Sequence, residues 1–483
     1  MRRTDIVGRK QELDPLKYLH ESQKSEFLAI YGRRRVGKSF LIEEAFKGDI
    51  SFTAVGIFKK DTDSSTYKRT QLVHFHECLI EYGLNRKDTP VPESWREAFA
   101  LLRKLLASKR ARKKVVFLDE LPWLAGPQSS ELVEELGWFW NEWARKQKNI
   151  FLIVCGSSTS WMLDNVIRDY GGLHGRLTEK IHLKPFSLNE CAEFFSKRGF
   201  HMSRYEIALC YMTIGGIPYY MDKLRPDRTL AENIDSVYYN RNDISQEFKD
   251  VYTGLFTSSE RYIDIVKALG KKFYGMTRAE IESHLKIKSG GTLSKMLDNL
   301  IESGIIKTYK RYGEARVTTV YQLKDFFSLF YLRFIDTSSK YTQWRSLQRT
   351  PSFYTWAGNS FELLVAEHIP QLCEILRIKD PAESYCWTGK TPDDKNVQID
   401  LLIPAPMERT DYLCEIKFSE NSYNISADYE ASLRNKLDAF INSKQHKKTH
   451  SLQLVMITSF GLSKSIHNGS VNSTICLDQL FEF

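Results

Sequence analysis

The chain has 483 residues, 42% hydrophobic and 27% charged, with 69 Lys and Arg against 60 Asp and Glu for a formal net charge of +9. That length exceeds what one ordinary core organises and predicts about three domains, while no apolar run reaches the roughly 18 residues of a membrane span. The opening Met1-Arg2-Arg3-Thr4-Asp5 is polar rather than a secretory h-region, and eight scattered cysteines in no CxxC or zinc spacing predict free thiols in a cytoplasmic protein. The positive excess suits nucleic acid, because phosphates reward clustered Lys and Arg, although proteins with no such partner also carry it.

Residues 1–222 alternate apolar runs with helical patterns, which predicts an α/β unit with a parallel sheet wrapped by helices. Phe27 to Tyr31, Val115 to Leu118 and Ile150 to Val154 read as buried strands. Trp95, Phe99, Leu102 and Leu106 have helical spacing, and Ser94 with Glu97 predicts a capping box at the start of that helix. Residues 223–258 turn polar and helical, as a lid or linker would. Across 259–340, helices at Arg261–Leu269, Thr277–Leu285 and Gly291–Ser303 precede strands at Ile305–Tyr309 and Val317–Gln322, the order of a winged helix-turn-helix. Ser289 to Thr292 reads as the turn and cap of its third helix. Thr292, Ser294, Lys295 and Asn299 would face a major groove, with Lys307, Lys310, Arg311 and Arg316 on the wing, although Asp298 and Glu302 dilute the charge. A last α/β domain over 350–483 combines a helix at Ser360–Leu372, strands at Val397–Ile403, Tyr412–Phe418 and Leu452–Thr458, and a helix at Ala427–Asn442. The aromatic clusters Trp138–Trp143 and Phe326–Phe334 have core spacing.

Two constellations carry chemistry. Gly32-Arg33-Arg34-Arg35-Val36-Gly37-Lys38-Ser39 is a P-loop pattern set between a strand and an apolar helix that opens with Phe40. Its glycines let successive N–H groups face phosphates, and the helix N-terminus adds its dipole. Lys38 would reach the β- and γ-phosphates and Ser39 would offer a hydroxyl to Mg²⁺. Val115 to Leu118 would present Asp119 to the metal, with Glu120 as general base toward the attacking water. Ser157 or Ser158, at the end of the Phe151–Val154 strand, would sense the γ-phosphate, and Arg176 could reach it in cis or from a neighbouring subunit. In the last domain Glu415 and Lys417 share a strand face, and a hairpin would bring Asp400 beside them. Asp400 and Glu415, with Glu362 from the preceding helix, could hold Mg²⁺ while Lys417 activates water.

The sequence resembles the archaeal-type ATPases of the STAND/AAA+ class over essentially the whole chain. Val7-Gly8-Arg9-Lys10-Gln11-Glu12-Leu13 matches their N-terminal box and Gly215-Gly216-Ile217-Pro218 their lid turn, beside the P-loop and the Leu118-Asp119-Glu120 strand. The resemblance implies that Gly8, Arg9 and Pro218 flank adenine, hence ATP rather than GTP. The D-x14-ExK spacing of Asp400, Glu415 and Lys417 resembles the PD-(D/E)xK nucleases, which implies a restriction-endonuclease-like domain. The combined expectation is an ATP-driven switch with a DNA-directed output. Two alternatives stay open: a regulator or scaffold with a silent C-terminal domain, and an oligomerising signalling switch that never touches DNA.

Overall fold

Five short runs build the first sheet: β1 Glu26–Tyr31, β2 Ile50–Val55, β3 Lys114–Asp119, β4 Ile150–Gly156 and β5 Glu179–His182. These come from a computed structural model that describes residues 5–482, except 60–62, 127–129, 169–171, 174, 240, 241, 257, 288, 289, 311, 313–318, 337–342, 380–382 and 392. The chain divides into two compact units, residues 1–185 with 251–257, and residues 186–250 with 258–483.

In the first unit every strand pairing is parallel, in the order β2-β3-β4-β1-β5. This is the expected P-loop NTPase α/β class. β4 is buried along its whole length and β1 and β3 almost so, as strands covered by helices on both faces must be. Phe27, Phe52, Phe75, Phe99 and Phe139 share one core with Trp95 and Trp140. Each such side chain contributes about 2–3 kcal/mol by leaving water. Ser94 caps the helix Trp95–Ser108 by accepting from the Glu97 N–H, whereas the Glu97 carboxylate accepts from Glu93 N–H. The expected reciprocal box is therefore only half formed.

Among the described residues, the second unit holds two further sheets. β6 Met276–Thr277, β7 Ile306–Lys310 and β8 Thr319–Leu323 are antiparallel in the order β6-β8-β7, beside helices Ser259–Gly270, Arg278–Leu285 and Gly291–Glu302. Gly290 takes the N-cap of the last helix without a side-chain bond; Ser289 lies outside the described residues, as do Arg311 and Arg316. β9 Tyr385–Lys390, β10 Asn396–Ala405, β11 Thr410–Lys417, β12 Ser451–Thr458 and β13 Ser473–Cys476 form a mixed sheet ordered β13-β12-β11-β10-β9. β10 and β11 make an antiparallel hairpin, and helix Ala427–Ile441 connects β11 to its parallel neighbour β12.

The helix expected at Ser360–Leu372 is two helices, Pro351–Glu367 and Ile369–Leu376. Pro370 explains the break, because it lacks an N–H and its ring disfavours helical backbone before it. Buried His368 fills the gap, its Nδ1 lying 2.7 Å from the Leu364 carbonyl oxygen.

Candidate nucleotide site and a second acidic cluster

Parallel pairing brings the ends of β1, β4 and β3 to one edge of the first sheet, so three distant segments converge there. Gly32 leaves β1 at φ 144°, and a Cβ on it would lie 2.3 Å from the Leu183 carbonyl oxygen. Only glycine fits. Arg35 is left-handed at φ 75° and Gly37, at φ 91°, is the N-cap of helix Lys38–Ala45. The buried Lys38 ammonium curls back onto the carbonyls of Gly32 (3.0 Å) and Arg33 (3.1 Å). Its own loop thus holds it at the mouth of the helix dipole.

Ser39 Oγ donates to Asp119 Oδ2 at 2.6 Å, joining helix and β3 across the intervening strand β4. Asp119 Oδ1 accepts the Glu120 N–H at 2.9 Å. Glu120 is held at φ 45°, and its Oε2 accepts from Ser157 N–H (3.1 Å) and Ser157 Oγ (2.9 Å). Burial raises the Glu120 carboxyl above its ordinary value against the pull of Lys38, and Asp119 raises it further. Two oxygen donors at Ser39 and Asp119 suit a hard cation such as Mg²⁺. Ser158 is engaged elsewhere, donating to the Leu255 carbonyl at 3.2 Å.

The remaining loop residues frame this centre. Gly8 (φ 61°) and Arg9 (φ 55°) precede helix Lys10–Glu21, and the buried Arg9 guanidinium donates to Lys184 O (2.7 Å) and Val36 O (2.9 Å). Arg9 therefore braces the back of the P-loop through its side chain. Arg33 is buried, and the Arg34 guanidinium lies 5.9 Å from the Trp123 ring centroid. Val36 is buried, whereas Phe40 is half exposed rather than packed with Leu41, Ile42 and Ala45. Arg176 is exposed in a turn whose described hydrogen bond runs from its own N–H to Leu173 O. Pro218 belongs to the other unit, at the start of helix Pro218–Met221.

In the second unit the hairpin brings Asp400, Glu415 and Lys417 together. Lys417 Nζ lies 3.9 Å from Asp400 Oδ2 and 3.6 Å from Glu415 Oε2, and Asp400 Oδ2 also accepts the Ile416 N–H at 3.1 Å. Two partners went unseen in the sequence: Tyr429 Oη donates to Glu415 Oε2 at 3.0 Å, and Lys436 forms an ion pair with Glu415 Oε1. Their spacing of seven on helix Ala427–Ile441 puts them on one face, a signal available in the pattern. Burial, then the Asp400 charge, pushes Glu362 up to about 8, and burial with Glu415 pushes Asp400 up to about 6. Burial alone would depress Lys417, but Asp400, Glu415 and Glu362 raise it.

Glu362, Asp400 and Glu415, the expected trio of metal ligands, act on one another through their charges. No group of three or more His, Cys, Asp or Glu side chains poised to hold a metal occurs among the described residues. Both Glu415 oxygens are engaged, Oε1 by Lys436 and Oε2 by Tyr429. A cavity of about 90 Å³ opens beside Glu362 and Asp400, lined also by Tyr274, Lys307, Tyr309 and Gln398. Lys307, expected on an exposed wing, faces this cavity, and burial lowers its ammonium. Among the described residues, no helix is long and apolar enough to cross a membrane.

Residues 6–224 match the family described as an ATPase domain predominantly from Archaea. The match spans the stretch that holds the P-loop and the Asp119–Glu120 strand end, and ATP hydrolysis is the activity that it supports. Over 348 residues the chain is 27% identical to an uncharacterized protein of Methanocaldococcus jannaschii, covering 68% of this chain and 69% of that protein. Among solved structures it is similar to a Walker-type ATPase of Pyrococcus abyssi, at 21% identity and TM-score 0.46 over 69% of this chain and 97% of the other. The ORC2 protein of Aeropyrum pernix, in its ADPNP–ADP complexes, gives 13% identity and TM-score 0.43 over 69% and 94%. The RuvB Holliday junction branch migration motor of Thermotoga maritima gives 14% identity and TM-score 0.35 over 65% and 92%.

Proposed function

We propose that the chain is an ATP-hydrolysing switch whose second unit acts on DNA. The observation that carries the ATPase half is the convergence of Lys38, the Ser39–Asp119 pair and the Ser157-bound Glu120 on one sheet edge. Lys38 exchanges its two loop carbonyls for phosphate oxygens, and the P-loop N–H groups complete the cradle. Ser39 and Asp119 would hold Mg²⁺, which supplies charge neutralisation on the phosphates when bound. Glu120 accepts the proton of the attacking water, and Ser157 aims its carboxylate. Gly8 and Arg9 are proposed beside the adenine, with Arg33, Arg34 and Arg35 near the phosphates and Arg176 completing the site in cis or within a homo-oligomer. The test is steady-state ATP hydrolysis with Lys38→Ala and Glu120→Gln beside the parent. Hydrolysis unaffected by both would sink the reading.

We propose a lid or linker over 223–258, of which 251–257 belong to the first unit, and in the second unit a winged helix-turn-helix (259–340) and a PD-(D/E)xK-like domain (350–483). Ser294 accepts from Arg278 and Asn299 donates to Tyr262, so Thr292 and Lys295 are left as the exposed DNA-facing side chains of helix Gly291–Glu302. Cleavage requires Lys436 and Tyr429 to release Glu415 so that it can join Asp400 and Glu362 around Mg²⁺, with Lys417 orienting water. A second reading, a regulator with a silent C-terminal domain, is favoured by that same engagement of Glu415. Mg²⁺- or Mn²⁺-dependent cleavage of single- and double-stranded DNA, with and without ATP, decides between them. Cutting abolished by Asp400→Ala supports the nuclease, and absence of cutting with intact ATPase activity supports the regulator.

A further inference from the structure

Where the first sheet begins, opposite its nucleotide edge, three loops lie side by side: residues 22–25 before β1, 108–114 entering β3 and 144–149 before β4. They are stitched together. Lys113 Nζ donates to Ser22 O (2.9 Å) and Lys24 O (2.6 Å), and Lys114 N–H donates to Asn149 O (2.7 Å). Ser25 Oγ donates to Gln147 O at 2.5 Å and accepts from Ile150 N–H at 3.2 Å. These loops carry Lys24, Lys109, Arg110, Arg112, Lys113, Lys114, Arg145, Lys146 and Lys148, and no acidic residue. Nine cations equal the whole formal excess of the chain, which is otherwise balanced at 60 of each sign. Lys24, Arg110, Arg112, Arg145, Lys146 and Lys148 are exposed, whereas Lys113 is spent on holding the loops.

We infer that this edge is a docking surface for the phosphate backbone of duplex nucleic acid, separate from the helix Gly291–Glu302. Lys24 pairs with Glu26 at 3.8 Å and Lys146 with Glu142 at 3.2 Å, and the remaining exposed cations form a cluster of one sign, the arrangement that counterion release rewards. The loops contain no aromatic residue to stack on an unpaired base, so a single strand gains little here. They also contain no large exposed apolar side chain, so an anionic membrane surface would find charge without an anchor. Contacts of this kind position a duplex without reading its sequence. The edge lies about 20 Å along the strands from the P-loop, since a six-residue strand advances about 3.3 Å per residue.

The test is fluorescence anisotropy of the full chain with a short labelled DNA duplex, titrated in salt. Arg110→Ala/Arg112→Ala/Lys148→Ala is expected to weaken binding about 10- to 100-fold at low salt and to flatten the log–log salt slope by about 3. ATP hydrolysis and the thermal midpoint are expected to be kept. The charge-preserving Arg110→Lys/Arg112→Lys/Lys148→Arg variant is expected to bind as the parent does. Lys295→Ala, in the other unit, separates this surface from the proposed winged helix. An unchanged affinity and slope in the alanine variant overturns the inference, as does a parent that fails to bind duplex at low salt. Loss of binding to phosphatidylserine vesicles, with duplex binding intact, would assign the edge to lipid instead.

Discussion

At Glu120 burial and neighbouring charge oppose each other, and the balance leaves a carboxyl harder to ionise than usual. As the proposed base it must be ionised, so the acid limb of the ATPase pH profile is expected above the ordinary carboxylate value of 4.5, read from a kcat–pH series. Glu120→Gln keeps shape and hydrogen-bonding capacity but cannot take a proton. It should lower kcat about 100-fold or more while nucleotide affinity, measured by calorimetry, stays within a few-fold. Glu362 makes the opposite kind of statement, about stability. Between 4.5 and about 8 the folded chain keeps a proton that the unfolded chain has released, so stability falls as pH rises through that window. Glu362→Gln should therefore stabilise the chain more at about pH 8.5 than at about pH 5, by a few kcal/mol, in matched urea titrations. An equal effect at both pH values would refute that origin.

Individual elements show what local pattern could and could not carry. β1, β3 and β4 were legible because each is a continuous apolar run, and the β10–β11 hairpin because charged residues alternate with apolar ones. β5 was not, since Glu179-Lys180-Ile181-His182 sits at a sheet edge with one buried side chain. The insertion of β4 between β1 and β3 is a long-range fact that no window of sequence contains. Tyr429 and Lys436 share a helix face by their spacing of seven, but that this face meets Glu415 is known only once the sheet beneath it is. Gly32 shows the reverse, a motif residue whose necessity is explained by a neighbour 151 residues away at Leu183. Gly32→Ala should destabilise the first unit by roughly 2 kcal/mol or more and abolish nucleotide binding, readable by thermal melts with and without ADP. The capping box of helix Leu188–Lys197 gives a milder case. Ser187→Ala should cost about 1 kcal/mol and leave ATP hydrolysis intact.

For the molecule as a whole, two compact units predict two unfolding transitions rather than one. A nucleotide bound by the P-loop should move only the transition of the first unit, by about 2.7 kcal/mol at one hundred times its Kd. Calorimetry with and without ADP checks this, and a single transition shifted as a block would refute it. The order of the chain through those units also limits how the protein can be dissected. Residues 251–257 return to the first unit after an excursion of 65 residues, and Leu255 there accepts the bond from Ser158, next to the proposed sensor Ser157. A fragment ending at residue 185 would keep Lys38, Ser39, Asp119 and Glu120 yet leave the Ser158 hydroxyl to solvent. Supplying residues 251–257 as a separate peptide should then restore part of what the cut removed, so that a seven-residue segment acts in trans as a missing piece of an enzyme encoded almost seventy codons upstream.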